Sequence, residues 1–254
     1  MLNQGELAHY REYGYVVPDF RLGERALDDI RDAHARLVAR EPRFADYCPT
    51  LLAYDLGFLN HAREPALLDM VEQVLGPDFA LWNSSFFAKP ARVGSRTPWH
   101  QDGEYWPIRP IATCTVWMAI DDATPQNGCL RVIRGSHQAR RLYRHRTNNA
   151  AGLSLNQELD PAEYDERDAV DIVLQAGQVS LHDVFLVHGS EPNRSARPRR
   201  GMTLRFMPTS SVFDRELAVR QVADKELGVG HAARTLFLMR GLDRSGRNDF
   251  RLRA

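Results

Sequence analysis

Cysteine, unbalanced charge and long apolar runs are all scarce in this 254-residue chain. The three cysteines (Cys48, Cys114 and Cys129) show no Cys-x-x-Cys spacing, which argues against a disulfide framework or a cysteine-based zinc module. Lys plus Arg number 33, as do Asp plus Glu, so no net charge favours nucleic acid or an anionic membrane. No run reaches the roughly 20 apolar residues of a transmembrane helix. We therefore expect a small-molecule partner, without nucleic acid or membrane.

The remaining composition is that of an ordinary globular protein. Hydrophobic residues make up 43% of the chain and charged residues 26%, which is enough apolar material for a sizeable core. The N-terminal residues lack the basic and apolar segments of a secretory signal peptide, and the cysteine count is odd. Both features favour reduced thiols and a cytoplasmic location. The oligomeric state, monomer or homodimer, stays open, because the apolar patch 236–239 suits either an interface or a core strand.

Helical periodicity is concentrated in the first third of the chain. Apolar residues recur at helical spacing in 23–40 and 65–75, and a shorter helix is predicted over 5–13. The stretch 41–62 follows neither a helical nor a strand period, so we expect a loop or short helices there.

Strand patterns dominate from residue 79 onward. The predicted strands cover 79–89, 113–120, 129–133, 172–174, 179–188 and 202–207. In 113–120, Thr113, Thr115, Trp117 and Ala119 alternate with Cys114, Val116, Met118 and Ile120. The second set is apolar throughout and predicts a core face, whereas the first has the polar groups of a cavity face.

Helices followed by many short strands predict a mainly β protein with flanking helices, built on a jelly-roll (cupin-like) core, also called a double-stranded β-helix. We assign one domain, 1–254, with a helical N-terminal region over residues 1–76, a core of about 79–210 and a C-terminal helix and tail 211–254. Residues 138–168 show no strand pattern. We expect them to form a loop at the substrate entrance that is poorly ordered without ligand.

The motif Trp99-His100-Gln101-Asp102 carries the strongest chemical signal. An extended His-x-Asp places an imidazole and a carboxylate on the same side, and His188 follows 86 residues after Asp102. Two His and one carboxylate on one side of a metal form the facial site of non-haem Fe(II) oxygenases. Glu104 is a second candidate for the carboxylate, but it lies two residues further along.

Several other histidines could be considered as metal ligands. His182 and His188 have the same parity on the predicted strand 179–188, so both are candidates to face the cavity. We interpret His182 as packing or hydrogen-bonding beneath the site. We expect His137 and His145 to be solvated and His34 to serve packing or the surface.

Further motifs accompany these residues: Asn127-Gly128-Cys129-Leu130, then Gly135-Ser136-His137, and His188-Gly189-Ser190 with Arg199 eleven residues after His188. Together with the Trp-His-x-Asp they resemble the phytanoyl-CoA dioxygenase family of Fe(II)- and 2-oxoglutarate-dependent oxygenases, over roughly residues 5–210. The resemblance implies the same jelly-roll fold.

The resemblance also implies roles for individual residues. His100, Asp102 and His188 would bind Fe(II), and 2-oxoglutarate and O2 would be cosubstrates. Arg199 would hold the distal carboxylate of 2-oxoglutarate, because a guanidinium matches a carboxylate with two parallel hydrogen bonds. Ser190 would share that carboxylate, and Trp117 and Asn83 are further candidates for contact with the cosubstrate.

The implied reaction is hydroxylation of an unactivated C–H bond in a small molecule, with release of succinate and CO2. Halogenating relatives have a small residue at the carboxylate position, so Asp102 favours hydroxylation. The substrate itself, a natural product, amino-acid derivative or acyl compound, is left open.

Four residues are candidates for the substrate pocket: Tyr105, Trp106, Arg109 and Phe86. Two alternative functions remain, a metal-binding jelly roll without oxidative turnover and a zinc hydrolase with the same ligands. Arg199 argues against both, because neither needs an arginine for a cosubstrate.

Overall fold

The computed structural model describes residues 1–227 and 229–252. The helices in these ranges are α1 (Gln4–Tyr13), α2 (Glu24–Arg40), α3 (Leu51–Tyr54), α4 (Leu59–Ala62), α5 (Pro65–Leu75) and α6 (Arg215–Asp224). The strands are β1 (Tyr15–Val16), β2 (Tyr47–Cys48), β3 (Phe79–Lys89), β4 (Thr97–His100), β5 (Ile108–Arg109), β6 (Cys114–Ala119), β7 (Leu130–Ile133), β8 (His145–Thr147), β9 (Gln157–Leu159), β10 (Ala169–Ile172), β11 (Val179–Asp183), β12 (His188–Ser190), β13 (Arg199–Pro208), β14 (Val212–Phe213) and β15 (Phe237–Arg240).

Two antiparallel sheets form the core. The larger sheet has the order β1-β11-β6-β13-β3-β15, with β2 also paired to β3, and the smaller has the order β10-β7-β12-β4. Side chains from both sheets line one cavity between them. This confirms the predicted jelly roll with flanking helices.

The N-terminal helices cover the outer face of the larger sheet. Leu27 and Ile30 of α2 and Leu67 of α5 are fully buried in one cluster with Val116 and Met202 of the sheet. Each such side chain contributes about 1.5–3 kcal/mol by leaving water. Helix α5 has the predicted bounds, with proline in its first turn and Gly76 directly after it. None of the helices in the described ranges has the length and apolarity needed to cross a bilayer.

The alternation predicted for residues 113–120 is confirmed in β6. Cys114, Val116 and Met118 belong to the cluster beneath the helices. Thr115 and Trp117 point the other way, into the cavity between the sheets. The strand therefore separates structural burial on one face from the candidate site on the other.

Two predicted elements need correction. Residues 179–188 are not one strand: β11 lies in the larger sheet and β12 in the smaller one, so the chain changes sheets between them. Residues 138–168 are not free of strands, because β8 and β9 pair there. Leu159 stabilises this pair by packing against Trp99, a long-range contact that leaves no local pattern.

The C-terminal segment completes the larger sheet. The predicted C-terminal helix is α6, and the apolar patch 236–239 lies largely in β15, which pairs with β3. Arg240 at the end of β15 pairs with Asp69 and Glu72 of α5. The patch is thus a sheet strand.

His34 confirms its predicted packing role and gives the fold a pH dependence. Its ring stacks on Phe86 at 4.2 Å, and burial, assisted by the Arg200 charge, lowers its pKa from 6.5 to about 4. Below pH 6.5 the His34 imidazole is therefore protonated in the unfolded chain, whereas in the folded protein it stays neutral down to about pH 4. We expect the free energy of unfolding of the metal-free protein to fall as the pH is lowered through this window, and to fall less in His34→Leu. Urea unfolding of both proteins at pH 7.5 and 5.5 measures the two decreases. Equal decreases in the wild type and in His34→Leu would contradict the prediction.

Candidate metal and cosubstrate site

Neighbouring strands of the smaller sheet bring the motif histidines together. His188 of β12 lies opposite His100 of β4 in the sheet register. Gly189 allows the close approach, since a Cβ there would lie 3.1 Å from the Thr97 carbonyl oxygen. Asp102 begins a short 3-10 turn, separated by one residue from the end of β4, and this turn directs its carboxylate toward both rings.

The three predicted ligands converge on one point. Nε2 of His100 lies 3.5 Å from Oδ1 of Asp102, and Nε2 of His188 lies 3.9 Å from Oδ2. All three side chains are buried, and one ligating atom from each lies within 4.8 Å of the others. Two nitrogens and one carboxylate oxygen on one side of a point suit a non-haem iron(II) ion.

Hydrogen bonds prepare both imidazoles for a metal. Nδ1 of His100 lies 2.8 Å from the Pro98 carbonyl oxygen, and Nδ1 of His188 lies 2.9 Å from that of Leu186. A carbonyl oxygen only accepts, so each Nδ1 carries the proton and each Nε2 presents its lone pair. Oδ2 of Asp102 is buried and has no hydrogen-bond partner within the described ranges, as expected for an atom that binds a cation. The residues present therefore fit the metal.

The protonation states also favour a metal at neutral pH. Burial opposes ionisation of Asp102, but the surrounding His188, His100 and His182 outweigh it and hold the pKa of Asp102 well below its usual range. Burial, reinforced by His100, lowers the pKa of His188 well below 6.5. A carboxylate and a neutral imidazole are the forms that bind a cation.

His182 lies beside the metal ligands. Its Nε2 is 3.7 Å from Oδ2 of Asp102, yet it does not belong to the ligand cluster found among residues 1–227 and 229–252. It lines the same cavity, so its position next to the site agrees with the prediction that it packs there without acting as a ligand.

Glu104 and the two histidines expected in solvent have other partners. Glu104 pairs with Lys225, which leaves Asp102 as the carboxylate of the cluster. The solvated assignments were wrong: His137 lies against the Arg11 carbonyl oxygen, and Nε2 of His145 accepts a hydrogen bond from the Gln101 backbone N–H at 3.0 Å. Both rings anchor loops against distant backbone, which sequence position does not reveal.

Arg199 lies in the cavity between the sheets, here called the inner cavity. Its side chain is 2% exposed, and its guanidinium lies 5.3 Å from the Trp117 ring centroid. Its Nε has no hydrogen-bond partner among the residues that the structure describes. Burial lowers its pKa to about 10, so it remains charged at neutral pH. Ser190 lines the same cavity. Gly201 makes room for the Trp117 ring, because a Cβ there would lie 2.3 Å from Cζ2.

A larger outer cavity of about 510 Å³ adjoins the inner one. Tyr105 and Trp106 line it as predicted for a substrate pocket, and Tyr105 Oη donates to Asp102 at 3.4 Å. Asn83 lines this outer cavity and not the inner one, so the structure does not place it beside the predicted cosubstrate residues. Residues 148–150 and 153–157 form part of the wall, in agreement with a 138–168 segment at the entrance.

Two of the predicted pocket residues lie elsewhere. Phe86 points to the opposite face of β3, is fully buried and stacks on His34, so it belongs to the core. The Arg109 guanidinium donates to the carbonyl oxygens of Trp106 and Ile108, which turns it back onto its own backbone. Phe87, one position after Phe86, is the residue of this pair that lines both cavities.

Sequence reasoning missed Arg205 and Gln101. Arg205 lines both cavities, and it shares the strand parity of Arg199, a signal that was available. Gln101 is fully buried between the two motif residues, and its amide binds the Phe185 and Arg141 carbonyl oxygens and the Tyr143 N–H. It thereby fixes the turn that carries Asp102, a role that only long-range contacts reveal.

Fold and site together define a jelly-roll protein with a facial two-histidine, one-carboxylate metal site and a buried arginine beside it. The family model described as phytanoyl-CoA dioxygenase (PhyH) matches residues 10–201, and the chain belongs to this family. The predicted membership of this family is thereby confirmed, and the candidate ligand cluster agrees with the predicted class, an Fe(II)- and 2-oxoglutarate-dependent oxygenase.

Individual relatives support the same class. A phytanoyl-CoA dioxygenase domain-containing protein 1 homolog of Dictyostelium discoideum is 33% identical over 130 residues, covering 50% of this chain and 46% of that protein. A probable alpha-ketoglutarate-dependent hypophosphite dioxygenase of Stutzerimonas stutzeri is 28% identical over 151 residues, with coverages of 57% and 50%. The solved non-heme monooxygenase ThoJ superposes with a TM-score of 0.73 at 26% identity, over 95% of this chain and 85% of its own. The chain spans about half the length of the curated relatives it matches.

Proposed function

We propose that this protein is a dioxygenase that uses iron(II), 2-oxoglutarate and O2 to hydroxylate an unactivated C–H bond of a small molecule. The observation that carries the proposal is Arg199. Its buried guanidinium has no carboxylate partner among the described residues and lies in the same cavity as the ligand cluster. A buried cation without a partner is costly, and an anionic cosubstrate would compensate it.

Each residue then has a defined task. His100, Asp102 and His188 would hold the iron, while Arg199, with Ser190 nearby, would bind the distal carboxylate of 2-oxoglutarate and Trp117 would wall its site. When bound, iron and 2-oxoglutarate together supply O2 activation coupled to decarboxylation, a chemistry that no side chain provides alone. The outer cavity would hold the substrate beside Tyr105 and exclude bulk water from the metal.

The alternative functions, a zinc hydrolase or a metal-binding jelly roll without turnover, leave Arg199 without a task. The N-terminal helices bury their apolar faces on the larger sheet, so we treat 1–254 as one catalytic domain. The three free, buried cysteines support a reducing, cytoplasmic environment.

The test is an anaerobic titration of the protein with Fe(II) and 2-oxoglutarate, monitored by the weak visible metal-to-ligand charge-transfer band. We expect the band in the wild type and in His34→Leu, whose ring lies on the outer face of the larger sheet. We expect no band in His188→Ala, because one metal ligand is missing. A wild type that binds zinc tightly and shows no band would favour the hydrolase or binding protein instead.

A further inference from the structure

Arg205 is a second buried cation at the site, with no task in the chemistry described so far. It is 5% exposed, lies on β13 six residues after Arg199 and lines both cavities. Its guanidinium donates a hydrogen bond to Oγ of Ser85 at 2.6 Å, and its Nε has no partner in the described part of the chain. No carboxylate pairs with it within residues 1–227 and 229–252.

The charges around the inner cavity do not cancel. Asp102, Arg199 and Arg205 are its formally charged lining residues among those described. Iron(II) and doubly ionised 2-oxoglutarate neutralise each other, and Asp102 offsets Arg199. The charge of Arg205 is left over in a buried site, where an uncompensated cation is unfavourable.

The surroundings of Arg205 suit one anionic group attached to an apolar body. Its guanidinium carbon lies 5.1 Å from the Trp106 ring centroid and 5.8 Å from that of Phe87. These rings continue the wall of the outer cavity, and the amide of Asn83, opposite Arg205 in the strand register, adds a neutral polar group. Glu226, the acidic residue of that wall, is at the exposed end and does not pair with Arg205.

We propose that Arg205 binds an anionic group of the substrate, a carboxylate or phosphonate, at the junction of the two cavities. This inference rests on the proposed oxygenase function and names the substrate class of that site. A guanidinium offers a carboxylate or phosphonate parallel hydrogen bonds, and the rings hold the attached carbon chain. Arg205 also lines the inner cavity, which contains the candidate metal ligands. An anionic group bound to Arg205 would therefore lie near the substrate carbon that is oxidised.

The experiment uses octanoate as a probe and octanamide as its neutral counterpart. Each is titrated calorimetrically into the anaerobic iron(II) protein at saturating 2-oxoglutarate. We expect octanoate to bind the wild type at least about tenfold more tightly than octanamide, since the charged group gains stronger hydrogen bonds. Arg205→Gln should remove this preference, and Arg205→Lys should retain some of it.

Arg200→Gln is the matched control. Arg200 lies on the same strand but pairs with Asp121 outside both cavities, so the preference should persist in this variant. A purely structural Arg205 would lower the melting temperature of Arg205→Gln without changing the preference of the protein for octanoate.

Three results would overturn the inference. The first is equal or undetectable binding of both probes to the wild type, which needs no variant. The second is an unchanged preference in Arg205→Gln. The third is loss of the charge-transfer band during the octanoate titration, because octanoate would then occupy the cosubstrate site at Arg199. A band that is absent before any probe is added would contradict the oxygenase function itself, so the two failures are distinguishable.

Discussion

Asp102→Ala is expected to weaken iron(II) binding at least ~100-fold and to abolish conversion of 2-oxoglutarate to succinate. Residues that only orient metal ligands already cost about 10–100-fold when replaced, so loss of a ligand must cost at least as much. The variant should nevertheless fold. Asp102 belongs to none of the apolar clusters that hold the two sheets together, so its removal leaves the core packing unchanged. Calorimetric iron titration and a thermal melt of the metal-free variant check the two expectations.

Glu104→Gln is the control for this prediction. Glu104 lies two residues further along and pairs with Lys225, away from the ligand cluster. Iron binding should therefore survive in Glu104→Gln. If this variant lost iron while Asp102→Ala kept it, the carboxylate ligand would be misassigned.

Arg199→Gln is expected to raise the dissociation constant of 2-oxoglutarate by roughly 100-fold while iron binding stays intact. The guanidinium can form two parallel charge-assisted hydrogen bonds to a carboxylate, each contributing ~1.5–3 kcal/mol, and a tenfold change corresponds to about 1.4 kcal/mol. Glutamine keeps a donor but loses the charge and the second parallel bond. Anaerobic titration of the charge-transfer band with 2-oxoglutarate measures the change.

Two comparisons sharpen the Arg199 result. Arg200→Gln alters the next residue of the strand but leaves the cavity unchanged, so its affinity for 2-oxoglutarate should match the wild type. Arg205→Gln should also keep this affinity if Arg205 serves the substrate. Wild-type affinity in Arg199→Gln would show that the distal carboxylate binds elsewhere.

The candidate ligands His100 and Asp102 were readable from sequence because they lie two positions apart in one extended motif, which places them on the same side. Arg199 was indicated by the resemblance of its spacing from His188 to that of a known family. The alternating faces of β6 were likewise predictable, because strand side chains alternate whatever lies on either side. Both ends of helix α5 were predictable from Pro65 at its start and Gly76 directly after it.

Pocket residues were less predictable, since the direction of a side chain depends on sheet pairing. The register of β3 against β13 shifts between Arg205 and Phe206, where Trp82 is the extra residue. Such a bulge resets the alternation of faces, and local sequence does not announce it. Phe86 is therefore in the core and Phe87 in the cavity, although both are aromatic.

The sequence by itself predicted the fold class through its periodicity. Its motifs, through their resemblance to a known family, indicated the three candidate metal ligands and the candidate cosubstrate arginine. Only the tertiary structure decided that residues 179–188 divide between two sheets and that His145 accepts a hydrogen bond from the backbone of Gln101. It also decided that Arg205 is buried with no acidic partner among the described residues. Each of these depends on segments far apart in the chain. Whether a charged side chain has an oppositely charged partner depends on residues that are close in space but distant in sequence, so a local stretch of sequence cannot reveal it.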